Sequence, residues 1–223
     1  SEGGTVALFD MNKQVLDKTV SEFKSKGFDA SGYLVDVSSE EMVSQSFAQV
    51  EAAYGKIDIM INSAGIVGPT NTKITDYATD AFDKICAINL RGTFLMAKYA
   101  VKSMEKKNYG RILLIASIAG KDGNPGMVGY SSTKAGVIGL VKGIGKEYAE
   151  TGITINGLAP AVIKTAMNEN TDSKQMEYML AKIPMKRLGT IEEVAAMSAW
   201  IVSKECSFST GFVFDISGGR ATY

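Results

Sequence analysis

The pattern of apolar and polar residues alternates along the chain between the period of a strand and the period of a helix. Residues 5–10 form a short apolar run, which is typical of a parallel strand covered on both faces. A polar-rich stretch follows, with apolar residues spaced to form one buried helix face, and Gly27 stands just past its end. The same switch recurs to the end of the chain, so the pattern predicts strands and helices in succession.

The remaining elements are placed by the same pattern. Further strands are predicted at 31–37, 56–62, 111–116, 153–158 and 211–215. Further helices are predicted after Ser38 or Ser39, around 82–107, from about 128 to 150 and at 191–203. Strands separated by helices of this length form parallel crossover units, with helices on both faces of the sheet. The sequence therefore predicts a single α/β domain over residues 1–223, with three layers around a doubly wound parallel sheet.

The predicted order of elements has a gap at its start. A dinucleotide-binding fold normally begins with a strand, a glycine-rich turn and a helix whose N-terminus receives the pyrophosphate. Gly3 and Gly4 stand before the opening strand, but no strand stands before them. Without that first strand, two strand edges in the middle of the sheet would be left unpaired. We therefore expect the natural protein to contain one more strand–helix unit, of roughly 25 to 30 residues.

Composition excludes several classes of function. The chain carries 24 basic and 24 acidic side chains, so nucleic acid and anionic membrane surfaces are not expected partners. It has no histidine and only two cysteines, Cys86 and Cys206, so neither a histidine-assisted nucleophile nor a zinc site of the Cys/His type is predicted. Two free thiols indicate a reducing, cytoplasmic compartment. The sequence contains no apolar run of about 18 residues, so a membrane span is not predicted. Acid–base chemistry must then come from Tyr, Lys, Asp, Glu or Ser.

A tyrosine and a lysine four residues apart are the first candidates for that chemistry. Tyr130 and Lys134 would lie on one face of a predicted helix, where an ammonium group can stabilise a phenolate. Tyr178 and Lys182 have the same spacing, and an isolated pair of this kind is usually a solvated helix face. The first pair is favoured because Ser117 directly follows an apolar strand and a glycine-rich loop can return the chain to Tyr130. Tyr178 is interpreted as a lid or surface residue.

In these features the chain resembles the classical short-chain dehydrogenases/reductases, and among them the 3-oxoacyl-carrier-protein reductases. The resemblance covers nearly the whole chain and rests on the joint order of these motifs: Asp36-Val37, Asn62-Ser63-Ala64-Gly65, Asn89, Ser117, Tyr130-x-x-x-Lys134, Asn156, Pro160 to Thr165 and Ser217-Gly218-Gly219. It implies a Rossmann-like fold and an NAD(P)-dependent oxidoreductase that transfers hydride between nicotinamide and a secondary alcohol or ketone. Two positions depart from the family pattern, since Ser63 stands where asparagine is usual and Ala161 where glycine is usual.

The resemblance implies four catalytic residues. Tyr130 would be the general acid in carbonyl reduction and the base in alcohol oxidation, and Ser117 would hydrogen-bond the substrate oxygen. Lys134 would hold the nicotinamide ribose and lower the pKa of Tyr130. Asn89 would position a water that relays protons to Lys134, and the alternative for Asn89 is a polar residue that kinks its helix.

The choice of cofactor depends on Asp10. A carboxylate at the end of this strand would bind the adenine-ribose hydroxyls and repel a 2′-phosphate, which favours NAD over NADP. A helix N-cap is the alternative for Asp10, and Lys13 could offset part of the repulsion. The resemblance implies further contacts with the cofactor from Asp36, Val37, Asn62, Ala64, Gly65, Tyr130, Lys134, Pro160, Ile163 and Thr165. Asp36 stands before two serines and could instead belong to a capping cluster.

The substrate and the assembly are less defined by the sequence. A segment at about 161–188 would form a lid over a small-molecule substrate, and its methionines suit an acyl chain or a ring, or they fill gaps in the packing: Met167, Met176, Met179 and Met185. A 3-oxoacyl thioester and a sugar acid, polyol or cyclic alcohol both stay open as substrates. By analogy the family implies a homotetramer, in which residues 217–223 pack at an interface unless they fray. The alternative function is a non-catalytic nucleotide-binding or interaction module of the same fold.

Overall fold

The structure is a computed structural model that describes residues 3–165, 173–221 and 223. Its strands are β1 (Val6–Asp10), β2 (Ala30–Leu34), β3 (Ile59–Asn62), β4 (Gly110–Ile115), β5 (Ile153–Pro160) and β6 (Val213–Ile216). Its helices are α1 (Lys13–Ser25), α2 (Glu40–Tyr54), α3 (Thr79–Ile85), α4 (Thr93–Met104), α5 (Ile118–Asp122), α6 (Val128–Glu147), α7 (Ser173–Ala181) and α8 (Ile191–Ile201). A π-helical segment, Cys86–Gly92, joins α3 to α4. The predicted alternation of strands and helices is confirmed.

The strands are parallel to one another, and helices cover the sheet on both faces. One apolar cluster packs α2, α4 and α6 against residues such as Ile112 and Leu114 of β4. A second cluster packs α8 against Leu113 of β4 and Leu158 of β5. Because successive residues of a strand point to opposite faces, β4 contributes to both clusters in alternation. This is the three-layer α/β arrangement that the sequence predicts.

Two predicted elements differ in detail from the structure. The helix predicted around 82–107 consists of α3, the π-helical segment and α4. The loop predicted between Ser117 and Tyr130 contains the short helix α5. Both differences lie next to the candidate site and help to shape it. Of the two caps left open for the next helix, Ser39 is the one that caps α2, accepting a hydrogen bond from the backbone N–H of Met42.

The strands form two separate parallel sheets within the described residues, one of β1 and β2 and one in the order β3–β4–β5–β6. A slot with a volume of about 230 Å³ separates β1 from β3 and is lined by both strands, with Phe47 and Met96 among its other residues. Ile59 and Ile61 of β3 are 48% and 46% exposed, which is unusual for apolar residues of a parallel strand. The expectation of two unpaired edges in the middle of the sheet is confirmed.

Candidate active site

The candidate site lies where β3 and β4 end, the edge at which parallel α/β proteins place their ligands. Ser117 follows β4 as the N-cap of α5, while Tyr130 and Lys134 lie in the first turns of α6. Helix α5 packs very closely on α6, since a Cβ atom at Gly120 would lie 2.6 Å from the backbone carbon of Lys134. Only glycine allows this approach, which brings the predicted residues of both helices together.

The side chains of Ser117 and Tyr130 interact. The buried Ser117 hydroxyl accepts a hydrogen bond from the backbone N–H of Ala119, 3.1 Å away. Burial raises the pKa of Tyr130 above its usual value of 10.0, and the hydrogen bond with Ser117 lowers it in part. Tyr130 is therefore protonated at neutral pH in this structure.

Lys134 is buried, with 6% of its surface exposed. Its Nζ atom donates a hydrogen bond to the backbone oxygen of Ile115, 2.8 Å away, and burial lowers the pKa of Lys134 to about 8. The Nζ atom lies 5.8 Å from the ring centroid of Tyr130. The prediction that Lys134 lowers the pKa of Tyr130 is not met in this arrangement. The ammonium group is directed to a carbonyl oxygen, and the hydroxyl of Ser117 supplies the lowering instead.

Asn89 is fully buried at the centre of the π-helical segment. Its amide oxygen accepts from the backbone N–H of Ile66 at 2.8 Å, and its amide nitrogen donates to the Ile66 backbone oxygen at 2.9 Å. The same nitrogen also contacts the hydroxyl of Thr133 at 3.3 Å. Asn89 thus ties the loop after β3 to Thr133 of α6, which is the residue before Lys134. The alternative interpretation of Asn89 as a helix-distorting residue agrees with the π-helical geometry around it.

Two threonines, Thr93 and Thr133, complete this network and were not predicted from the sequence. The Asn62 amide nitrogen donates to the hydroxyl of Thr93 at 2.9 Å, and that hydroxyl donates to the backbone oxygen of Asn89 at 2.6 Å. Thr93 stands four residues after Asn89, a spacing at which a threonine hydroxyl reaches back along a helix, so the signal was present in the sequence.

Small residues allow close packing beside Lys134. Ser63, Ala64 and Gly65 follow directly on β3, and a Cβ atom at Gly65 would lie 3.1 Å from Asn89 Oδ1 and 3.7 Å from Lys134 Nζ. Gly65 therefore lets the loop after β3 lie against Asn89 and close to the Lys134 ammonium group. An ammonium donor at this position suits a ribose hydroxyl of a dinucleotide cofactor.

Asp10 is the last residue of β1 and is half-buried. Its Oδ1 atom accepts from the backbone N–H of Asn12 at 2.7 Å, while Asn12 itself caps α1. The alternative role of Asp10 as a helix N-cap is therefore wrong. Lys13 pairs with Asp17 at 2.6 Å on the exposed face of α1, so its charge is already matched.

Asp36 and Val37 have structural contacts of their own. Asp36 Oδ1 accepts from both the backbone N–H and the hydroxyl of Ser38, at 2.8 and 2.7 Å, which is the capping cluster offered as its alternative. Val37 is buried and faces Gly92, since a Cβ atom at Gly92 would lie 2.8 Å from the Cγ2 atom of Val37. The contact with Gly92 places Val37 beside the start of α4.

The third group of predicted contacts follows β5. Pro160 ends this strand opposite Ile216, and Ile163 pairs with Gly189 in a parallel bridge. Thr165 is half-buried at the end of a described range. Asn156, another motif residue, holds the turn before β6 by donating to the backbone oxygen of Ser209 at 2.7 Å.

The segment predicted as a lid is described in part. Met167 lies outside the described residues, whereas Met176 and Met179 belong to α7 and the exposed Met185 follows it. Tyr178 is 49% exposed on α7, and Lys182 Nζ lies 4.3 Å from its ring centroid. The second Tyr–Lys pair is thus at the surface, in contrast to the buried first pair.

Two classes of site receive no support in the described ranges. Among these residues, no group of three or more His, Cys, Asp or Glu side chains could hold a metal ion. No helix of this part of the chain has both the length and the apolar character needed to cross a membrane.

The chain is similar in sequence to a known family and to proteins of known activity. The family model described as enoyl-(acyl carrier protein) reductase matches residues 1–221. The chain is 43% identical, over 223 residues, to 2-dehydro-3-deoxy-L-rhamnonate dehydrogenase (NAD(+)) of Sphingomonas sp. (strain SKA58), covering 100% of this chain and 88% of that one. It is 35% identical to the 3-oxoacyl-[acyl-carrier-protein] reductase of Thermotoga maritima, covering 98% and 88%.

Solved structures are similar as well. The structure of NAD+-bound xylitol dehydrogenase matches with a TM-score of 0.91 and 33% identity, covering 97% of this chain and 89% of that one. The structure of ElxO with NADP bound matches with a TM-score of 0.89 and 33% identity, covering 96% and 87%. The chain belongs to the short-chain dehydrogenase/reductase family and is an NAD(P)-dependent oxidoreductase. The resemblance seen in the sequence motifs is confirmed.

Proposed function

We propose that this chain transfers hydride between NAD(H) and a secondary alcohol or ketone, with Tyr130 as the general acid and base. The observation that carries the proposal is that the close packing of α5 on α6 brings together the buried Ser117, Tyr130 and the buried Lys134, whose Nζ atom lies 5.8 Å from the Tyr130 ring centroid. Hydroxyl, phenol and ammonium groups lie together beyond the carboxyl end of β4, the edge at which parallel α/β proteins place their ligands.

Tyr130 has the chemistry of a proton donor in this setting. When a ketone is reduced, the phenol O–H gives its proton to the carbonyl oxygen as hydride reaches the carbonyl carbon. When an alcohol is oxidised, the phenolate takes the hydroxyl proton. Because the pKa of Tyr130 is raised, the protonated form predominates at neutral pH, which suits reduction, and oxidation is favoured as pH rises.

Ser117 can stabilise the same substrate oxygen. Its oxygen already accepts the Ala119 N–H, so its own O–H is left to donate toward Tyr130 or the substrate. A donor held in place by a helix N-terminus lowers the energy of a developing alkoxide without reorganising. Lys134 places a positive charge beside Gly65, in reach of a ribose hydroxyl.

NAD is the cofactor that these residues favour. Its nicotinamide ring would supply or accept the hydride when bound. Asp10 holds a carboxylate at the end of β1, where it would accept hydrogen bonds from ribose hydroxyls and repel a 2′-phosphate. Lys13 is paired with Asp17 and adds little to offset that repulsion. The remaining cofactor contacts are proposed for Asp36, Val37, Asn62, Ala64, Pro160, Ile163 and Thr165.

A sugar acid or polyol is the substrate class that we favour. The support is the similarity to an NAD(+)-dependent sugar-acid dehydrogenase and to the NAD+-bound structure of xylitol dehydrogenase. A 3-oxoacyl thioester is the second candidate, favoured by the similarity to 3-oxoacyl reductases and by the methionines of the lid proposed at 161–188. Steady-state rates with a panel of both classes would distinguish them.

We also propose a homotetramer in a reducing, cytoplasmic compartment. The support for assembly is a set of half-exposed aromatic residues on α4, on α8 and beside β6, namely Phe94, Trp200 and Phe212. The support for the compartment is that Cys86 and Cys206 are free thiols. Light scattering would measure the oligomer mass.

The exchange Tyr130→Phe tests the proposed function. It removes the phenol oxygen and keeps the ring, so turnover should fall by about 10²-fold or more, while NADH binding, followed by cofactor fluorescence, stays nearly unchanged. Tyr178→Phe is the matched control, because Tyr178 has a lysine at the same spacing but is exposed. Full activity of the Tyr130 variant would overturn the mechanism. Titration with NADH and NADPH in parallel tests the selectivity proposed for Asp10.

A further inference from the structure

The segment after β6 folds back on the helix that carries Ser117. The Arg220 side chain is only 7% exposed, and it meets two residues of that region. Its Nε atom lies 3.0 Å from Asp122 Oδ2, and its Nη2 atom donates to Asn124 Oδ1 at 2.9 Å. A planar guanidinium group can reach two acceptors at once, which a lysine cannot do with the same geometry.

Both partners of Arg220 belong to the loop that connects Ser117 with Tyr130. Asp122 ends α5, whose N-cap is Ser117. The backbone N–H of Asn124 donates to the hydroxyl of Ser131 at 3.0 Å, and Ser131 is the neighbour of Tyr130 in α6. Arg220 therefore bridges the middle of this loop, between Ser117 and Tyr130.

Two glycines form turns in this loop, and the contacts of Arg220 lie beside them. Gly123 and Gly126 both have positive φ values, 72° and 73°, which glycine adopts at little cost. Lys121 and Tyr223 add a reciprocal contact. Lys121 Nζ donates to the backbone oxygen of Tyr223, and the Tyr223 hydroxyl donates to the backbone oxygen of Lys121.

The segment that carries Arg220 is itself anchored. The Ser217 hydroxyl donates to Asp215 Oδ1 at 2.7 Å and accepts from the backbone N–H of Ala221 at 3.0 Å. The backbone N–H of Met185 donates to the Gly218 oxygen at 3.1 Å. Arg220 thus projects from a fixed base, and it can hold the loop in a defined position.

We propose that Arg220 is a positioning residue for the reaction: its bridge to Asp122 and Asn124 keeps the Ser117 hydroxyl against the Tyr130 phenol. This inference rests on the proposed function, because it assigns Arg220 a part in the geometry of the same two residues. Arg220 acts through the loop and does not touch the reacting atoms.

The test compares Arg220→Met, Arg220→Lys and wild type in the full-length protein, well below the melting temperature of each. We expect Arg220→Met to lower kcat about tenfold, which is about 1.4 kcal/mol in the barrier, with KM for NAD+ nearly unchanged. Because the contact with Ser117 lowers the pKa of Tyr130, the pH midpoint of alcohol oxidation should also move upward. Arg220→Lys restores the charge and one contact, so it should recover part of kcat.

Lys106→Met is the matched control, because it removes an ion pair with Glu51 that lies far from the loop. If Arg220→Met fails to fold, Asp122→Asn weakens the same bridge from the other side and should show the same split between kcat and KM. An Arg220 variant with a lower melting temperature but unchanged kcat and pH midpoint would reduce Arg220 to a structural contact and overturn the inference. A wild-type protein without NAD-linked activity would overturn the proposed function instead.

Discussion

Lys134 is the residue at which folding and chemistry oppose each other most clearly. Its ammonium group is buried, and it donates its hydrogen bond to a neutral carbonyl oxygen, that of Ile115. Burial lowers its pKa from 10.5 to about 8, which corresponds to a cost of about 3 kcal/mol for keeping the charged form in the folded protein. The charge is retained where a ribose and a phenolate would need it.

The pH dependence of this cost has a definite sign. The unfolded chain holds the Lys134 proton up to a pH near 10.5, whereas the folded protein releases it near pH 8. Between these values the unfolded state binds more protons, so the free energy of unfolding contributed by Lys134 rises with pH. The cost is present in full below about pH 8 and has disappeared above about pH 10.5.

Lys134→Met should therefore stabilise the fold at pH 7 and abolish activity. We expect a gain of about 2 kcal/mol in the free energy of unfolding, because the lost hydrogen bond to Ile115 offsets about 1 kcal/mol of the relief. The gain should shrink as the pH is raised to 10, as measured by urea unfolding. Lys142→Met is the control, because Lys142 is an exposed residue of the same helix. Equal shifts in both variants would mean that burial is not the cause.

At the scale of elements, the π-helical segment between α3 and α4 orients the polar groups of the site. The Thr93 hydroxyl bridges the Asn62 amide and the Asn89 backbone oxygen, and all three residues are buried. The Asn89 amide is thereby left to hold the loop at Ile66. The helix is distorted where its side chains form hydrogen bonds both to β3 and to α6.

Thr93→Val tests whether this bridge stabilises the element. Valine has the same shape but no hydroxyl, so the buried Asn62 amide loses its acceptor, and the free energy of unfolding should fall by about 1 to 3 kcal/mol. The matched control is Thr19→Val, since the Thr19 hydroxyl also bonds to a carbonyl four residues back, but on an exposed face of α1. Urea unfolding should place the control within about 0.5 kcal/mol of wild type. Equal losses in both variants would contradict the bridge.

The sequence was informative about elements and much less so about their local distortion. Apolar periodicity and the spacing of Ser117, Tyr130 and Lys134 were sufficient to predict the parallel α/β fold and the group at the end of β4. The π-helical segment was missed, because its apolar positions continue the pattern of one long helix. The pKa of Tyr130 was also missed, because it depends on where the Lys134 ammonium is directed, and the spacing of two residues does not define that. Arg220 acts across 98 residues, beyond the range of any local pattern.

At the scale of the whole molecule, the slot between β1 and β3 divides the sheet. The edges of both strands face it, and Ile59 and Ile61 lie half-exposed on one face of β3 while Met60 is buried on the other. An exposed apolar face beside an unpaired strand edge favours self-association. The 223-residue chain should therefore bind an apolar dye at this face.

The double exchange Ile59→Thr and Ile61→Thr tests the exposure of this face in the 223-residue chain. Threonine suits a strand as well as isoleucine does, so we expect weaker dye fluorescence and a loss of only about 1 kcal/mol in the free energy of unfolding. Met60→Thr is the control on the same strand, and it should cost about 2 to 4 kcal/mol because Met60 is buried. A loss in the double variant as large as that of the control would mean that the face is covered in solution. A dependence of that loss on protein concentration would identify the cover as a second copy of the chain, since unfolding then includes dissociation.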